Sequence, residues 1–194
     1  MQAYKRESYK KGKLPTNDNL YVLVADYQNS RVAKYSAQSL DYISSWKNLD
    51  GPAGLVGAST TTLVNWYPFD VAVDGRSGNV LLTDYNGRVV AFTQDGNLIG
   101  TLINGFGFNN LAGLDIDALG NMYLLAGFQN GRLLKYDSSG RLIARYGGTF
   151  DVPMGVAVGA DGVVWVTEMV GSAHKITCMV SLAALLLRCL GSGN

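Results

Sequence analysis

The sequence predicts an all-β fold built from repeated four-stranded antiparallel units. Three observations lead to this prediction: a segment that recurs about every 42 residues, short segments of strand length, and glycine-containing turns between them. The recurring segment is DVAVD at 70–74, and its next two copies begin 43 and then 42 residues further on, at Gly113 and Gly155. A repeat of this length with four strand signals indicates the blades of a β-propeller.

The other strands of each unit follow in a fixed order. Second strands are predicted at 20–26, 79–84, 121–126 and 163–168, and third strands begin at Arg31, Arg88 and Arg132. Fourth strands are predicted at 40–46, 98–103 and 142–146. The turns QDGN at 94–97 and SSGR at 138–141 contain glycine, which adopts the positive φ that tight hairpins need. We therefore expect about 13 to 14 strands in antiparallel meanders, with no long helix before residue 176.

The order of these elements resembles the NHL repeat. A first strand such as GVAV, a second strand ending in TD, a short turn with asparagine, and an Arg-Val pair before an aromatic residue and Asp-Gly carry the resemblance, which covers roughly residues 19–168. It implies a partial β-propeller of four-stranded antiparallel blades, about half of a six-bladed ring. NHL propellers serve as scaffolds, RNA binders and receptor domains, and related propellers include enzymes, so the resemblance leaves the function open.

The repeats divide the chain into three parts. Residues 1–18 form a basic N-terminal arm that we expect to be mobile, and 19–175 form the blades, with an insertion at 50–67. We expect blade one to lack a first strand and blade four to fade after Glu168. Residues 176–194 form an apolar C-terminal tail, which is either a non-native end or a helix that packs on the open blade.

Composition and charge restrict the classes of partner. The formal net charge of +1 argues against general binding of polyanions, and the apolar run at 176–190 is short for a membrane span. We expect self-association, because uncovered blade edges can pair with another chain. The basic N-terminus lacks the apolar core of a signal peptide, and the two cysteines, Cys178 and Cys189, are expected to be thiols in a reducing compartment. The predicted location is therefore cytoplasmic.

Topology predicts one candidate binding face. In a four-stranded meander, the turns between strands two and three lie on the same side as the loops between blades, where the 50–67 insertion belongs. We predict that this side binds the ligand through aromatic and arginine side chains, which are enriched at binding hot spots. The predicted site residues are Tyr27, Arg31, Trp66, Tyr67, Tyr85, Arg88, Phe128 and Arg132.

The three arginines of this face differ in their neighbours along the chain. Asp26 precedes Arg31 and Asp84 precedes Arg88, so each pair is expected to form a charge-assisted bond that stabilises its hairpin. Ala126 stands in place of the acid in blade three. Arg132 is therefore the arginine that we expect to face a ligand.

Candidates for catalysis are few. Asp74, Asp115 and Asp117 lie near first strands and could line a calcium site, as carboxylates do in propeller lactonases, but Gly159 takes the place of Asp74 and Asp117 in blade four and we expect no metal. His174 is the single histidine, which excludes zinc sites built from several histidines, and we interpret it as a surface or blade-edge residue. No catalytic residue and no cofactor are predicted.

Three functions remain open at this point. The leading hypothesis is a non-catalytic recognition or scaffold module that binds a protein, or another macromolecule, on the face of the strand 2–3 turns. One alternative is a calcium-dependent propeller hydrolase or lyase similar to gluconolactonase. The other is an RNA-binding NHL module. The arginine and aromatic residues of the turns favour it, whereas the low net charge argues against it.

Overall fold

The computed structural model describes residues 4–5, 20–47, 67–104, 111–127, 131–170 and 173–179. These residues form fifteen β-strands and no helix, arranged in four antiparallel sheets that follow one another along the chain. Each sheet is a meander in which strands pair in chain order. The predicted all-β fold of antiparallel blades, forming part of a propeller, is therefore correct.

Blade one and blade two each contain four strands. Blade one consists of β1 (Tyr4–Lys5), β2 (Tyr21–Asp26), β3 (Arg31–Ser36) and β4 (Tyr42–Lys47). Blade two consists of β5 (Pro68–Val73), β6 (Val80–Asp84), β7 (Val89–Phe92) and β8 (Leu98–Ile103).

Blade three is complete, and blade four has three strands within the described residues. Blade three consists of β9 (Leu111–Ile116), β10 (Met122–Ala126), β11 (Gly131–Tyr136) and β12 (Leu142–Phe150). Blade four consists of β13 (Pro153–Val158), β14 (Val164–Val170) and β15 (Ala173–Met179).

The turns within blades form as their glycines predict. Gly96 and Gly140, in the turns between third and fourth strands, both have φ of 85°. Gly78, Gly120 and Gly162 take the same left-handed conformation between first and second strands. Glycine adopts this backbone without the steric cost that a Cβ would impose, so each hairpin reverses in a few residues.

Three apolar clusters hold successive blades together. One joins blades one and two around Leu23, Leu82 and Phe92, the next joins blades two and three around Leu81 and Leu124, and the last joins blades three and four. Blades two and three are buried on both faces, as the second strands β6 and β10 show by being buried along their whole length. The blades therefore stack face to face in chain order.

The first strands of blades two and four carry a bulge that a threonine completes. In blade two, Pro68 pairs with Asp84 and Asp70 pairs with Thr83, which leaves Phe69 as the extra residue. The hydroxyl oxygen of Thr83 accepts the Asp70 N–H at 3.1 Å, and the hydroxyl donates to the Ala112 carbonyl of blade three at 3.0 Å. Thr167 accepts the Gly155 N–H in the same way in blade four. The bulge turns one residue of each of these two strands out of the regular alternation.

Two expectations about the ends of the repeat array are wrong. Blade one has a first strand, β1, whose two residues pair with Leu23 and Val22 of β2. Blade four does not fade after Glu168, because β15 pairs with β14 over its full length. Strand β15 also includes the first four residues of the segment predicted as a tail.

The cysteines also differ from expectation. Cys178, on β15, is disulfide-bonded rather than a thiol. The other cysteine of the sequence, Cys189, lies outside the described residues, as do most of the insertion at 50–67 and residues 180–194. Among the residues that the structure does describe, no helix is long and apolar enough to cross a membrane.

Candidate functional site

The candidate site lies where blades one and two meet on the side of their strand 2–3 turns. Tyr27 comes from the turn of blade one, Tyr85 from the turn of blade two, and Tyr67 and Phe69 from the segment that enters blade two. The Tyr85 N–H donates to the Tyr67 carbonyl at 3.1 Å, which fixes the turn of blade two against the incoming chain. We call the surface formed by these four aromatic residues the aromatic patch.

Tyr27 is the centre of the aromatic patch. Its ring centroid lies 5.2 Å from that of Tyr67, 5.9 Å from that of Phe69 and 6.4 Å from that of Tyr85. The contacts with Phe69 and Tyr85 are edge-to-face, a geometry that the ring quadrupoles favour. Tyr27 and Tyr85 remain 38 % and 44 % exposed. The patch is thus packed from within and open to solvent.

The structure brings together three of the predicted site residues and adds one that the sequence did not indicate. Tyr27, Tyr67 and Tyr85 lie in the patch as the topology predicted. Phe69 was missed because it belongs to a first strand, where regular alternation does not predict a contact with the turns. The bulge at Phe69 is the reason that it reaches Tyr27.

Two arginines beside the patch are paired with aspartates. The Arg31 Nε–H donates to Asp26 at 2.8 Å, and the Arg88 Nε–H donates to Asp84 at 2.6 Å. Asp84 is fully buried and also accepts the backbone N–H groups of Asn86 and Arg88. The Arg31 guanidinium, helped by the Asn29 amide, holds the pKa of Asp26 below its ordinary value. The predicted hairpin bonds are therefore present in both blades.

Arg132 lies in a different environment. It pairs across the strands with Ala126, its side chain is exposed, and within the described residues no carboxylate forms an ion pair with it. Its blade therefore presents a guanidinium whose charge is not neutralised by a hairpin acid. Two further predicted site residues, Trp66 and Phe128, lie outside the described residues.

Blade four replaces the Asp–Arg pair with a different set of contacts. Glu168 is 3 % exposed, pairs across the strands with Lys175 and takes the position of Asp26 and Asp84. It accepts the Thr177 hydroxyl at 2.6 Å and the Asp151 N–H at 3.0 Å, and the Lys175 ammonium lies 3.4 Å away. The acid of this position thus joins strands two and three in blade four as well.

The carboxylates that could bind calcium are engaged within the fold. Asp74 and Asp117 accept N–H groups of the tight turns that they begin, and Asp117 also lies 3.7 Å from the Lys135 ammonium. Asp115 accepts the Val158 N–H of blade four at 2.7 Å with one oxygen and the Ile116 N–H with the other. Within the described residues, no three side chains of the metal-binding types come together.

Asp70 forms a second bridge between first strands. Its carboxylate accepts the Leu114 N–H of blade three and the Val71 N–H, both at 2.8 Å. Burial raises the pKa of Asp70 to about 7, and burial raises the pKa of Asp115 as well. These acids therefore link neighbouring blades near the axis, and a carboxylate that accepts two backbone N–H groups has less capacity left for a cation.

His174 lies on β15 and is exposed. It pairs across the strands with Met169. The setting is a strand, as expected for a blade-edge residue.

Comparison with known proteins supports the fold and leaves the function open. The chain matches no protein-family model and no curated protein. It is similar to solved structures that include hydrazine synthase from Kuenenia stuttgartiensis (TM-score 0.60, 12 % identity, covering 89 % of this chain and 49 % of that chain). A nidogen/laminin complex is similar with a TM-score of 0.58 at 16 % identity, covering 82 % of this chain and 55 % of that one.

A third likeness is to a protein of unknown function from Bacteroides caccae, with a TM-score of 0.54 at 14 % identity, over 80 % of this chain and 53 % of that chain. The chain thus spans about half the length of the solved chains that it matches. At these identities the likeness concerns the fold, which is that of a β-propeller.

Proposed function

We propose that this chain is a non-catalytic recognition module of NHL type that binds a segment of a partner protein on the aromatic patch. The observation that carries the proposal is the contact of Tyr27 with Tyr67, Phe69 and Tyr85, which joins three chain segments into one surface. Tyrosine supplies a large apolar contact area and a polar hydroxyl while it loses little conformational entropy on binding. These are the properties of residues at binding hot spots.

The charges around the patch favour a protein over RNA. Arg31 and Arg88 are each paired with an aspartate, so their charges are largely offset where an RNA backbone would have to lie. The net charge of the chain is only +1. Affinity for nucleic acid rests mainly on unneutralised basic groups. An RNA ligand therefore has less support than a peptide segment with apolar and polar side chains.

The hydrolase alternative has less support than binding. A propeller hydrolase would need free carboxylates near the axis, and Asp70 and Asp115 each accept two backbone N–H groups there. Replacing these bonds with metal contacts would unpair buried N–H groups of two neighbouring blades, at a cost of about 1–3 kcal/mol each.

The test is selection from a displayed library of random peptides, followed by titration of the selected peptides against variants. We expect Tyr27→Ala and Tyr85→Ala to weaken binding by roughly 1–3 kcal/mol. Tyr42→Ala is the matched control, because Tyr42 is 55 % exposed but lies on the fourth strand of blade one, away from the patch. Peptides that bind the three variants equally well would show that the patch is not the binding site.

A further inference from the structure

A second surface of the molecule consists of exposed residues of blade four whose equivalents in the other blades are buried. On β14 and β15, Trp165 is 45 % exposed and Ile176 is 69 % exposed. Ala157 and Thr167, on the same face of blade four, are exposed as well. The disulfide-bonded Cys178 lies beside them on this face, across the strands from Trp165. We call the surface formed by Trp165, Ile176, Ala157 and Thr167 the open face.

The equivalent positions in the other blades are all buried. Trp165 takes the place of Leu23, Leu81 and Tyr123, which are 0 %, 5 % and 6 % exposed. Each of these three residues belongs to the apolar cluster that joins its own blade to the following blade. In blades one, two and three, the residue at the position of Trp165 is therefore covered by the next blade.

Strand three shows the same difference. Ile176 takes the place of Val32, Val89 and Leu133, which are at most 1 % exposed. These residues also lie in the clusters that join consecutive blades. Two independent strand positions thus show that the open face has the character of a blade-to-blade contact.

Blade one presents the complementary half of such a contact. Val22 and Val24 lie on the face of β2 that points away from blade two, and both are half-buried. Their equivalents in blade two, Val80 and Leu82, are fully buried against the preceding blade. Leu124 and Val166, which correspond to Val24 in blades three and four, are fully buried too.

We propose that the open face of blade four packs against the Val22–Val24 face of blade one in a second copy of this chain, and that the second copy returns the same contact. The arrangement continues the blade-to-blade packing that already exists within the chain. Two copies with four blades each give eight blades, which is within the range of closed propellers. Two-fold symmetry forms both contacts at once, so each open blade face among the described residues has a partner.

This inference is separate from the proposed function, because the open face and the aromatic patch share no residue. It predicts a species of twice the 20.8 kDa of one chain, measured by sedimentation equilibrium of the 194-residue protein. Trp165→Asp would place a charge in both contacts, and we expect it to raise the dissociation constant roughly 30-fold or more. Ile143→Asp is the matched control, since Ile143 is also 45 % exposed but lies on the outer strand of blade three.

A mixing experiment identifies the partner face. Val24→Asp should also give a monomer, with a circular dichroism spectrum that shows the fold intact. Mixed with Trp165→Asp, it should recover part of the two-chain species, because one of the two contacts is then formed by unaltered faces.

Three results would overturn the proposal. One is a monomer at all concentrations, as expected if residues 180–194 cover the open face of their own chain. The others are open-ended polymers in place of the two-chain species and a failure of the mixture to recover any of it.

Discussion

The carboxylate of Asp84 is fully buried, and Arg88, four residues later, donates its Nε–H to it at 2.6 Å. The side chain of Arg88 is itself only 13 % exposed. The equivalent pair in blade one, Asp26 and Arg31, is exposed by 24 % and 30 %. The Asp–Arg pair is thus present in both blades, but it is buried in blade two and partly exposed to solvent in blade one.

Arg88→Ala is expected to lower the free energy of unfolding by roughly 2–4 kcal/mol, because it leaves a buried carboxylate without its cation. Arg31→Ala should cost much less, since the Asp26 carboxylate stays accessible to water. Chemical denaturation of the two variants measures both values. Equal losses would mean that burial does not determine the strength of these pairs.

Arg132→Ala is expected to leave stability unchanged and to weaken binding of the selected peptides by roughly 1–3 kcal/mol, because no hairpin acid engages this guanidinium. Arg145→Ala is the control, since Arg145 is exposed on the outer strand of the same blade. Titration and melting of both variants decide the prediction. The division between structural and recognition arginines is wrong if Arg132→Ala and Arg88→Ala lose stability and affinity in the same proportion.

Trp66→Ala stays a prediction of the same kind. The residue lies near the end of the 50–67 insertion and precedes Tyr67 in sequence, so a partner that contacts the aromatic patch should reach it. We expect a loss of binding of about 1–3 kcal/mol with no change in melting temperature. Unaltered affinity would exclude Trp66 from the site.

The parts of this fold that the sequence predicted are those with a strong local signal. Glycine turns, apolar second strands and the aspartate before arginine recur in register, so the blades and the hairpin pairs could be placed. Strand β1 could not, because Tyr4 and Lys5 lie in a lysine-rich stretch and become a strand only by pairing with β2. Such pairing is a tertiary contact that periodicity does not encode.

Strand β15 and Phe69 were missed for different reasons. At β15 the third-strand arginine is replaced by Lys175, and the partner acid is Glu168 rather than aspartate, so the motif that marks the strand is lost. Phe69 occupies a bulge, which shifts the register of its strand by one residue. The alternation of side chains along a strand predicts the face on which a residue lies only if the position of any bulge is known.

Asp70 should make stability depend on pH. Its pKa is about 7 in the folded protein, above the ordinary value of 3.8, because the carboxyl group is buried. The folded chain therefore holds this proton more tightly than the unfolded chain, and its contribution to stability is present below pH 4 and is lost as the pH rises to about 7. The loss is at most on the order of 4 kcal/mol.

The measurement is the free energy of unfolding between pH 4 and pH 8 for the wild type and Asp70→Asn. The difference between them should change with pH in this interval, in favour of the variant as the pH rises. Asp95→Asn, which removes a carboxylate from an exposed turn, is the matched control. A difference that is constant with pH would show that Asp70 ionises alike in the folded and unfolded chains.

Glu168 provides the last prediction, since it holds the third strand of blade four. Burial alone would raise the pKa of Glu168, but the hydrogen bonds from Thr177 and the Asp151 N–H, with the Lys175 ammonium, lower it below its ordinary value. The group is thus held as a carboxylate by partners on both sides. Of these partners, Thr177 is the closest, at 2.6 Å, whereas the Lys175 side chain is 61 % exposed.

Thr177→Val should therefore destabilise β15 more than Lys175→Ala does. The valine removes a hydrogen bond to a buried charge, worth about 1.5–3 kcal/mol, whereas the lysine pair is exposed and worth about 0–1 kcal/mol. Amide hydrogen exchange along β15 measures the local effect. Exchange along β7 serves as the internal control because β7 belongs to blade two, whereas Thr177 pairs with Val166 of its own blade. If Lys175→Ala accelerates exchange more than Thr177→Val, the ammonium rather than the hydroxyl holds Glu168 in place.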